Sequence, residues 1–365
     1  MFDCIIVGAG PAGITAAYHL AKQRRSVLVE KVSLRRNQPC SSGVLGPIGQ
    51  WLDFGLTPAI SMKANKISYT WKIEDLVQVQ INSPMWMVQR DVFDDFLIKQ
   101  AQKTGAELRH YTQVKGIEFK HYVWEVKTNS QAVSGHYLIA ADRADGWMTK
   151  WLGLKELKPC LSPSLETCSI KGDAIYFDFG TIKKGFIWNF PKADGYSLSI
   201  AAMRGDKPKD IKHILADYAT KCGADISVSN LREHPRSLWN GDRKLHSQNS
   251  LVAGDAASLA DPLFGEGIRP AIFSSFKAAE AIDRALEGAD DAKKQYTQSI
   301  AQEWGTDMVW ASHLARAFYQ FTEAVYQAGL QFPRTTQLMI KILCGELRYA
   351  DIANRAFHSS DAVLE

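Results

Sequence analysis

Cys4 to Val7 is an unbroken apolar run. It ends in glycine, is followed by a stretch with helical apolar spacing from Ile14 to Lys22, and then by a second apolar run from Ser26 to Val29. Short apolar runs bounded by turn residues predict buried strands, and the 3.6-residue period between them predicts a helix, so residues 1–30 read as a β-α-β unit. From Ser33 to Pro58 the chain is rich in Gly, Pro and Ser and predicts loops with short helical pieces. Residues 64–83 carry alternating and β-branched positions, which predict a strand pair. Phe93, Phe96, Leu97 and Ala101 fall at helical spacing between Asp91 and Thr104, with Gly105 just past the end. Strands are predicted around Leu108, over Val114 to Phe119, Tyr122 to Val126 and Tyr137 to Ala141, and repeatedly through 165–203. A helix is predicted over Ile211 to Cys222, a strand over Ser250 to Ala253, and a long helix from Ile268 to Glu287 with Pro270 in its first turn. Residues 291–365 read as helical and aromatic.

The break between the first strand and helix is Gly8-Ala-Gly10-Pro11-Ala12-Gly13, and Glu30 closes the second strand twenty residues after Gly10. This is G-x-G-x-x-G in a strand–turn–helix–strand setting with an acid at the right distance, the pattern of a dinucleotide site. Gly8 permits the tight turn, Gly10 lets a pyrophosphate approach the backbone, and Gly13 lets the helix pack close to the strand. The helix N-terminus presents unpaired N–H groups and a positive dipole end to the phosphates. Glu30 can accept from ribose hydroxyls. Pro11, Ala12 and Lys31 complete this part of the candidate cofactor site.

Composition narrows the class. With 365 residues the chain is long enough for more than one domain, and 46% hydrophobic with 22% charged residues is a soluble globular balance. No apolar run reaches membrane-spanning length, and the N-terminal apolar stretch holds the glycine loop rather than a signal sequence. Six scattered cysteines form no C-x-x-C pair, which argues against a metal or disulfide framework and fits a reducing cytoplasm. The histidines show no metal spacing and read as surface or core residues. The net charge of +4 is too weak to suggest nucleic acid. Peripheral contact with an anionic membrane surface stays open.

A second glycine–acid loop lies at Leu251-Val-Ala-Gly-Asp255-Ala-Ala-Ser-Leu-Ala-Asp261-Pro262-Leu-Phe-Gly265-Glu-Gly267-Ile268-Arg-Pro270. A carboxylate after a strand, here Asp255, can bind the hydroxyls of a ribityl chain. Gly265 and Gly267, opening a helix with Ile268, can offer N–H groups to a pyrimidine carbonyl that carries negative charge, as a reduced flavin requires. The dinucleotide is therefore expected to be FAD.

These residues resemble the FAD-dependent oxidoreductases built like para-hydroxybenzoate hydroxylase, over roughly residues 1–290. Within that group the chain is most similar to the geranylgeranyl reductase family. Pro39-Cys40-Ser-Ser-Gly43 resembles that family's Pro-Cys-Gly-Gly segment beside the flavin ring. Gly185-Phe186-Ile-Trp188-Asn-Phe190-Pro191 resembles its Tyr-x-Trp-x-Phe-Pro motif, and Asp261 to Arg269 its flavin loop. Arg90, followed by Phe93, Asp94 and Leu97, matches the family's Arg before a Phe-Asp-x-x-Leu helix, which implies a contact to the pyrophosphate or adenosine side of FAD. The chain departs from the family in Ser41 and Ser42, in Pro270, and in Arg143, which follows Asp142 where the family has Asp-Gly. The last departure weighs against direct use of NAD(P)H, so a small redox carrier stays open beside NAD(P)H as the electron donor.

The resemblance implies a mixed α/β protein. A Rossmann-like FAD-binding domain (1–60, 86–155 and 235–290) carries an inserted antiparallel-sheet substrate domain (61–85 and 156–234), and helices follow over 291–365. Cys40 and Trp188 are the candidate catalytic residues, the thiol as proton donor to an alkene carbon. Phe186, Trp188 and Phe190 would wall an apolar substrate cavity, and plain sheet core is the other reading of such aromatics. For the C-terminal aromatics, Trp304, Trp310, Phe318, Phe321 and Tyr326 among them, core packing is favoured over a tunnel. The expected reaction is reduction of carbon–carbon double bonds of a prenyl substrate. The alternatives are an FAD monooxygenase or halogenase-like enzyme acting on an apolar or aromatic compound, and a non-catalytic flavoprotein that binds an isoprenoid or a partner.

Overall fold

A computed structural model describes residues 1–25, 27–31, 43–167, 172–193, 195–202, 210–224 and 232–352. The chain opens with β1 (Phe2–Val7), α1 (Pro11–Lys22) and β2 (Val27–Lys31), the β-α-β unit expected from the apolar pattern. The helix starts at Pro11, three residues before the periodic stretch. Proline fits the first helical position because its missing N–H has no helical partner there. After β3 (Gly43–Val44) and two short 3₁₀ turns come β4 (Met62–Trp71), β5 (Glu74–Met87) and α2 (Arg90–Lys103). The β4–β5 pairing slips between Ala64 and Lys66, opposite a stretch of β5 that contains Pro84. Proline has no N–H to give a ladder, and a bulge accommodates it.

Next come β6 (Glu107–His110), β7 (Val114–Lys120), β8 (Val123–Thr128), β9 (Val133–Ala140) and the single turn α3 (Met148–Trp151). The chain continues with β10 (Cys160–Thr167), β11 (Ala174–Phe179), β12 (Gly185–Lys192), β13 (Gly195–Ala202), α4 (Ile211–Lys221) and β14 (Arg232–Arg236). A return hairpin, β15 (His246–Ser247) and β16 (Ser250–Val252), leads into α5 (Ile268–Leu286). The last described helices are α6 (Ala292–Ile300), α7 (Thr306–Gln320), α8 (Thr322–Gln331) and α9 (Pro333–Leu343).

Two sheets organise these elements. The first has the order β15-β16-β9-β1-β2-β6, with β7 and β8 folded beside β9. Its centre, β16-β9-β1-β2-β6, is parallel. Leu138, Ile139, Leu251 and the β1 residues Cys4 to Val7 are almost fully buried there, as parallel strands covered on both faces require. Among the described residues, α1 and α5 pack together along this sheet. The second sheet has the order β14-β10-β13-β12-β11-β4-β5-β3 and is antiparallel except for β11 beside β4. Alternation along β12 and β13 gives this sheet two different faces. Ile187, Leu198 and Ile200 pack against Leu215 and Tyr218 of α4. Phe186, Trp188 and Phe190 point the other way, toward the glycine-rich loops and the C-terminal helices.

Candidate functional site

The glycine loop behaves as the sequence requires. Gly8 sits at φ +107, and a Cβ there would lie 2.2 Å from the Ala141 carbonyl oxygen. A Cβ on Gly13 would lie 1.8 Å from the Gly8 carbonyl oxygen. Both positions exclude any side chain, one by conformation and contact, the other by contact alone. Gly10 caps α1 without a side-chain hydrogen bond, and the first turn of α1 holds no acidic residue. The N-terminus of α1 is thus free to meet an anion. Gly10, Pro11 and Ala12 line a cleft of about 1180 Å³ between the two sheets.

The second loop forms the opposite wall. Gly254 (φ +63) and Asp255 open a 3₁₀ turn after β16, and Gly265 (φ +68) precedes the start of α5. Gly267 caps α5, and a Cβ on it would lie 3.2 Å from Asp255 Oδ1. Asp255, Gly265, Gly267 and Ile268 all line the cleft. Pro262 lies in the turn between them, half-buried, and is not among the lining residues. The turn is pinned from inside. Asp261 Oδ1 accepts the N–H groups of Leu263 (2.7 Å) and Phe264 (2.9 Å), and Oδ2 accepts the Tyr349 hydroxyl at 2.7 Å. Glu266 accepts from the Arg269 N–H (3.0 Å) and Nε (3.1 Å), and the Arg269 guanidinium lies 5.0 Å from the centre of the Trp304 ring.

Besides Arg269, three more arginines line the cleft. Arg90 begins α2 and is held by Asp94 at 3.2 Å. Arg236 ends β14, lies over the Trp188 ring at 5.9 Å, and donates to the Gly265 carbonyl. Arg143 follows β9. Burial pushes the Asp255 carboxyl up from its ordinary value, while Arg236, Arg90 and Arg143 pull it down. The carboxylate therefore sits among cations rather than alone. Asp142 is pushed up to about 6, chiefly by burial, although its Oδ2 accepts the Met148 N–H at 3.0 Å.

Arg143 is at φ +96, a backbone region that costs an L-residue with a Cβ about 1–2 kcal/mol. Its ion pair to Asp145, at 3.2 Å and with both side chains 40–51% exposed, contributes at most about 1 kcal/mol.

The substrate-side residues divide between two cavities. Trp188 and Phe190 line the cleft, with Phe177 and Met85. Phe186 lines a second, apolar cavity of about 790 Å³. Tyr69 and Phe179 of the sheet form one wall of it, and Phe318, Tyr326 and Met339 from α7, α8 and α9 form the other. Phe177, Phe264 and Leu343 line both spaces. Core packing describes Trp304, which is 7% exposed and donates to the Leu259 carbonyl. Phe318 and Tyr326 also pack on the sheet, Phe318 on Phe179 at 5.6 Å and Tyr326 on Trp71 at 5.2 Å between ring centres, and both border the apolar space that α7–α9 leave against it. Trp310 and Phe321 are exposed at 37% and 57%.

Ten of the residues singled out from the sequence therefore meet in one cleft: Gly10, Pro11, Ala12, Arg90, Trp188, Phe190, Asp255, Gly265, Gly267 and Ile268. Gly8 and Gly13 shape the loop from behind. Glu30 and Lys31 end β2, paired with Arg109 and His110 of β6, and their side chains lie outside the described residues, as does Cys40. Arg143, Arg236 and His234 line the cleft without having been expected there. His234 read as a surface or core residue. For Arg236 and His234 the signal lies in tertiary pairing, since β14 joins the far edge of the second sheet through β10, whereas Arg143 carried a local one in its place directly after Asp142.

The FAD binding domain family matches residues 1–174. An uncharacterized protein of Methanosarcina barkeri is 30% identical over 326 residues, covering 87% of this chain and 84% of its own. The digeranylgeranylglycerophospholipid reductase of Methanococcus vannielii is 26% identical over 329 residues, covering 84% and 81%. Among solved structures, a geranylgeranyl bacteriochlorophyll reductase-like protein of Thermoplasma acidophilum superposes with a TM-score of 0.76 at 21% identity, covering 87% of each chain. The flavin-dependent brominase Bmp2 superposes with a TM-score of 0.73 at 18% identity, covering 99% of each. The uncapped α1 N-terminus, the two excluded Cβ positions and the arginines around Asp255 fit a dinucleotide diphosphate. The cofactor is FAD, and the chain is an FAD-dependent oxidoreductase related to the geranylgeranyl reductases.

Proposed function

We propose that this protein reduces carbon–carbon double bonds in the prenyl chain of an amphiphilic substrate. The observation that carries this reading is the apolar cavity of about 790 Å³ that adjoins the FAD cleft at Phe177, Phe264 and Leu343. A long unbranched-to-methyl-branched hydrocarbon gains from burial against Phe186, Phe318 and Met339 roughly in proportion to the apolar area it loses to water. The Methanococcus vannielii relative bears the name of a reductase of a digeranylgeranyl lipid. The fold is shared with a brominase and so does not choose between chemistries by itself.

When bound, FAD supplies the reducing equivalents. Arg90 and the α1 N-terminus would hold its diphosphate, Asp255 would accept from its ribityl hydroxyls, and the Gly265–Gly267 turn would offer N–H groups to its pyrimidine carbonyl. Trp188 and Phe190 line the cleft as an apolar wall that would exclude water and orient the alkene. Cys40, placed beside the flavin by the sequence resemblance, holds the proton that completes reduction at the second alkene carbon. Its thiol must stay protonated to serve. The donor that reloads the cofactor is NAD(P)H or a small redox carrier. Anaerobic incubation of the FAD-loaded, dithionite-reduced protein with a geranylgeranyl glycerolipid tests the reading by mass spectrometry. Products that gain hydrogen pairs at the chain are expected. Oxygenated or halogenated products in air, or no product with any prenyl lipid, would overturn it.

A further inference from the structure

We propose that Arg143 is a cofactor-anchoring residue, a second cation on the FAD diphosphate beside Arg90, kept in a strained backbone for that purpose. The chain turns tightly after β9. Asp142 Oδ2 accepts the Met148 N–H, the Gly146 N–H donates to the Arg143 carbonyl at 3.3 Å, and residue 143 takes positive φ in this turn. Glycine would take that conformation without strain, so the turn does not explain an arginine there. The half-exposed pair with Asp145 returns less than the conformation costs. Such outliers persist where the side chain has work to do.

Position supplies the work. The segment leading to Arg143 packs on the phosphate loop itself, since the Ala141 carbonyl carbon and the Asp142 N–H lie 2.6 and 3.0 Å from where a Gly8 Cβ would be. Arg143 then lines the cleft together with Gly10, Pro11, Ala12 and Arg90. A planar, always-charged fork at that point suits two adjacent phosphate groups.

The test sets strain against charge. Arg143→Gly removes both, Arg143→Ala keeps the strain and removes the charge, and Arg143→Lys keeps both strain and charge. FAD dissociation constants are measured on apoprotein by quenching of flavin fluorescence at low and high salt, and apoprotein melting temperature is measured in parallel. Arg143→Gly is expected to raise the melting temperature of the apoprotein yet weaken FAD binding about tenfold at low salt, with a smaller salt dependence than wild type. Arg143→Ala should weaken FAD similarly without the gain in melting temperature, and Arg143→Lys should bind FAD within about threefold of wild type. Wild-type FAD affinity in Arg143→Gly would overturn the proposal. So would equal weakening in the Lys and Gly variants, or a loss confined to nicotinamide nucleotide binding.

Discussion

The hydroxyl of Tyr349 connects the end of the described chain to the flavin loop, and Tyr349→Phe measures that connection. Tyr349 is 3% exposed and Asp261 is 2% exposed, and the hydroxyl donates a hydrogen bond to Asp261 Oδ2 at 2.7 Å. Both backbone donors on this carboxylate, Leu263 and Phe264, go to the other oxygen. Phenylalanine keeps the ring packing and removes only the donor, leaving a buried carboxylate oxygen short of its partner. A hydrogen bond to a charged group contributes about 1.5–3 kcal/mol, so apoprotein stability should fall by roughly 2–3 kcal/mol in urea unfolding followed by tryptophan fluorescence. Asp261→Asn changes the same contact from the other side. In the Tyr349→Phe, Asp261→Asn cycle, contacting residues should show an interaction of about 0.5–3 kcal/mol. Because Asp261 fixes the turn that presents Gly265 and Gly267 to the cleft, FAD should also bind more weakly in Tyr349→Phe. A Tyr349→Phe protein within about 0.5 kcal/mol of wild type, or an additive cycle, would refute the reasoning.

Asp255→Asn should weaken FAD binding by about 1–3 kcal/mol, the cost of exchanging a charged acceptor among arginines for a neutral one; unchanged occupancy after gel filtration counts against the second loop as a cofactor site. Asp142 has its folded-state pKa raised from 3.8 to about 6, so its favourable contribution is complete below pH 3.8 and is lost as pH rises through about 6. Relative to Asp142→Asn, wild-type apoprotein should therefore lose up to about 3 kcal/mol between pH 4 and pH 7, from roughly 2 pH units at 1.36 kcal/mol each. Parallel stability profiles for the two proteins over that range would remove burial as the cause. Cys40→Ala should keep FAD binding and flavin reduction but slow turnover of a prenyl lipid by about 10²–10⁴-fold, the range for loss of a positioned general acid, whereas wild-type turnover would make the thiol structural.

The fold was largely legible because its signals are local. The glycine loop, the strand that ends at Asp255 and the helix that starts at Ile268 each announce themselves within a few residues. What the sequence hid depends on contacts between distant segments. Arg236 comes to the Gly265 carbonyl across 29 positions of chain. Tyr349 meets Asp261 across 88. The two-residue β3 and the five-residue β14 carry too short a pattern to stand out, and β14 contains Pro235. The helical spacing of Phe318 and Tyr326 marks an apolar face without saying whether that face meets side chains or a cavity. The distinction lies in whether the opposing surface fits, and the sheet face formed by Tyr69, Phe179 and Phe186 leaves room.

One strand sets the relation between the two cavities. Side chains two apart on β12 lie on the same face, so Phe186, Trp188 and Phe190 form a row. Phe177 pairs across the sheet with Trp188, and its ring centre lies 5.8 Å from that of Phe186 and 6.4 Å from that of Phe190. It therefore stands at the boundary, touching the apolar cavity on one side and the cleft on the other. The matching boundary residues opposite are Phe264, in the loop pinned by Asp261, and Leu343, the last residue of α9. Tyr349 lies six positions beyond Leu343 and bonds the loop that carries Phe264. The junction between the two cavities is thus framed by the sheet, the flavin loop and the C-terminal helix together. That arrangement makes α7–α9 part of the site rather than an appended layer, since removing them would open the cavity wall and release the loop that forms one wall of the FAD cleft.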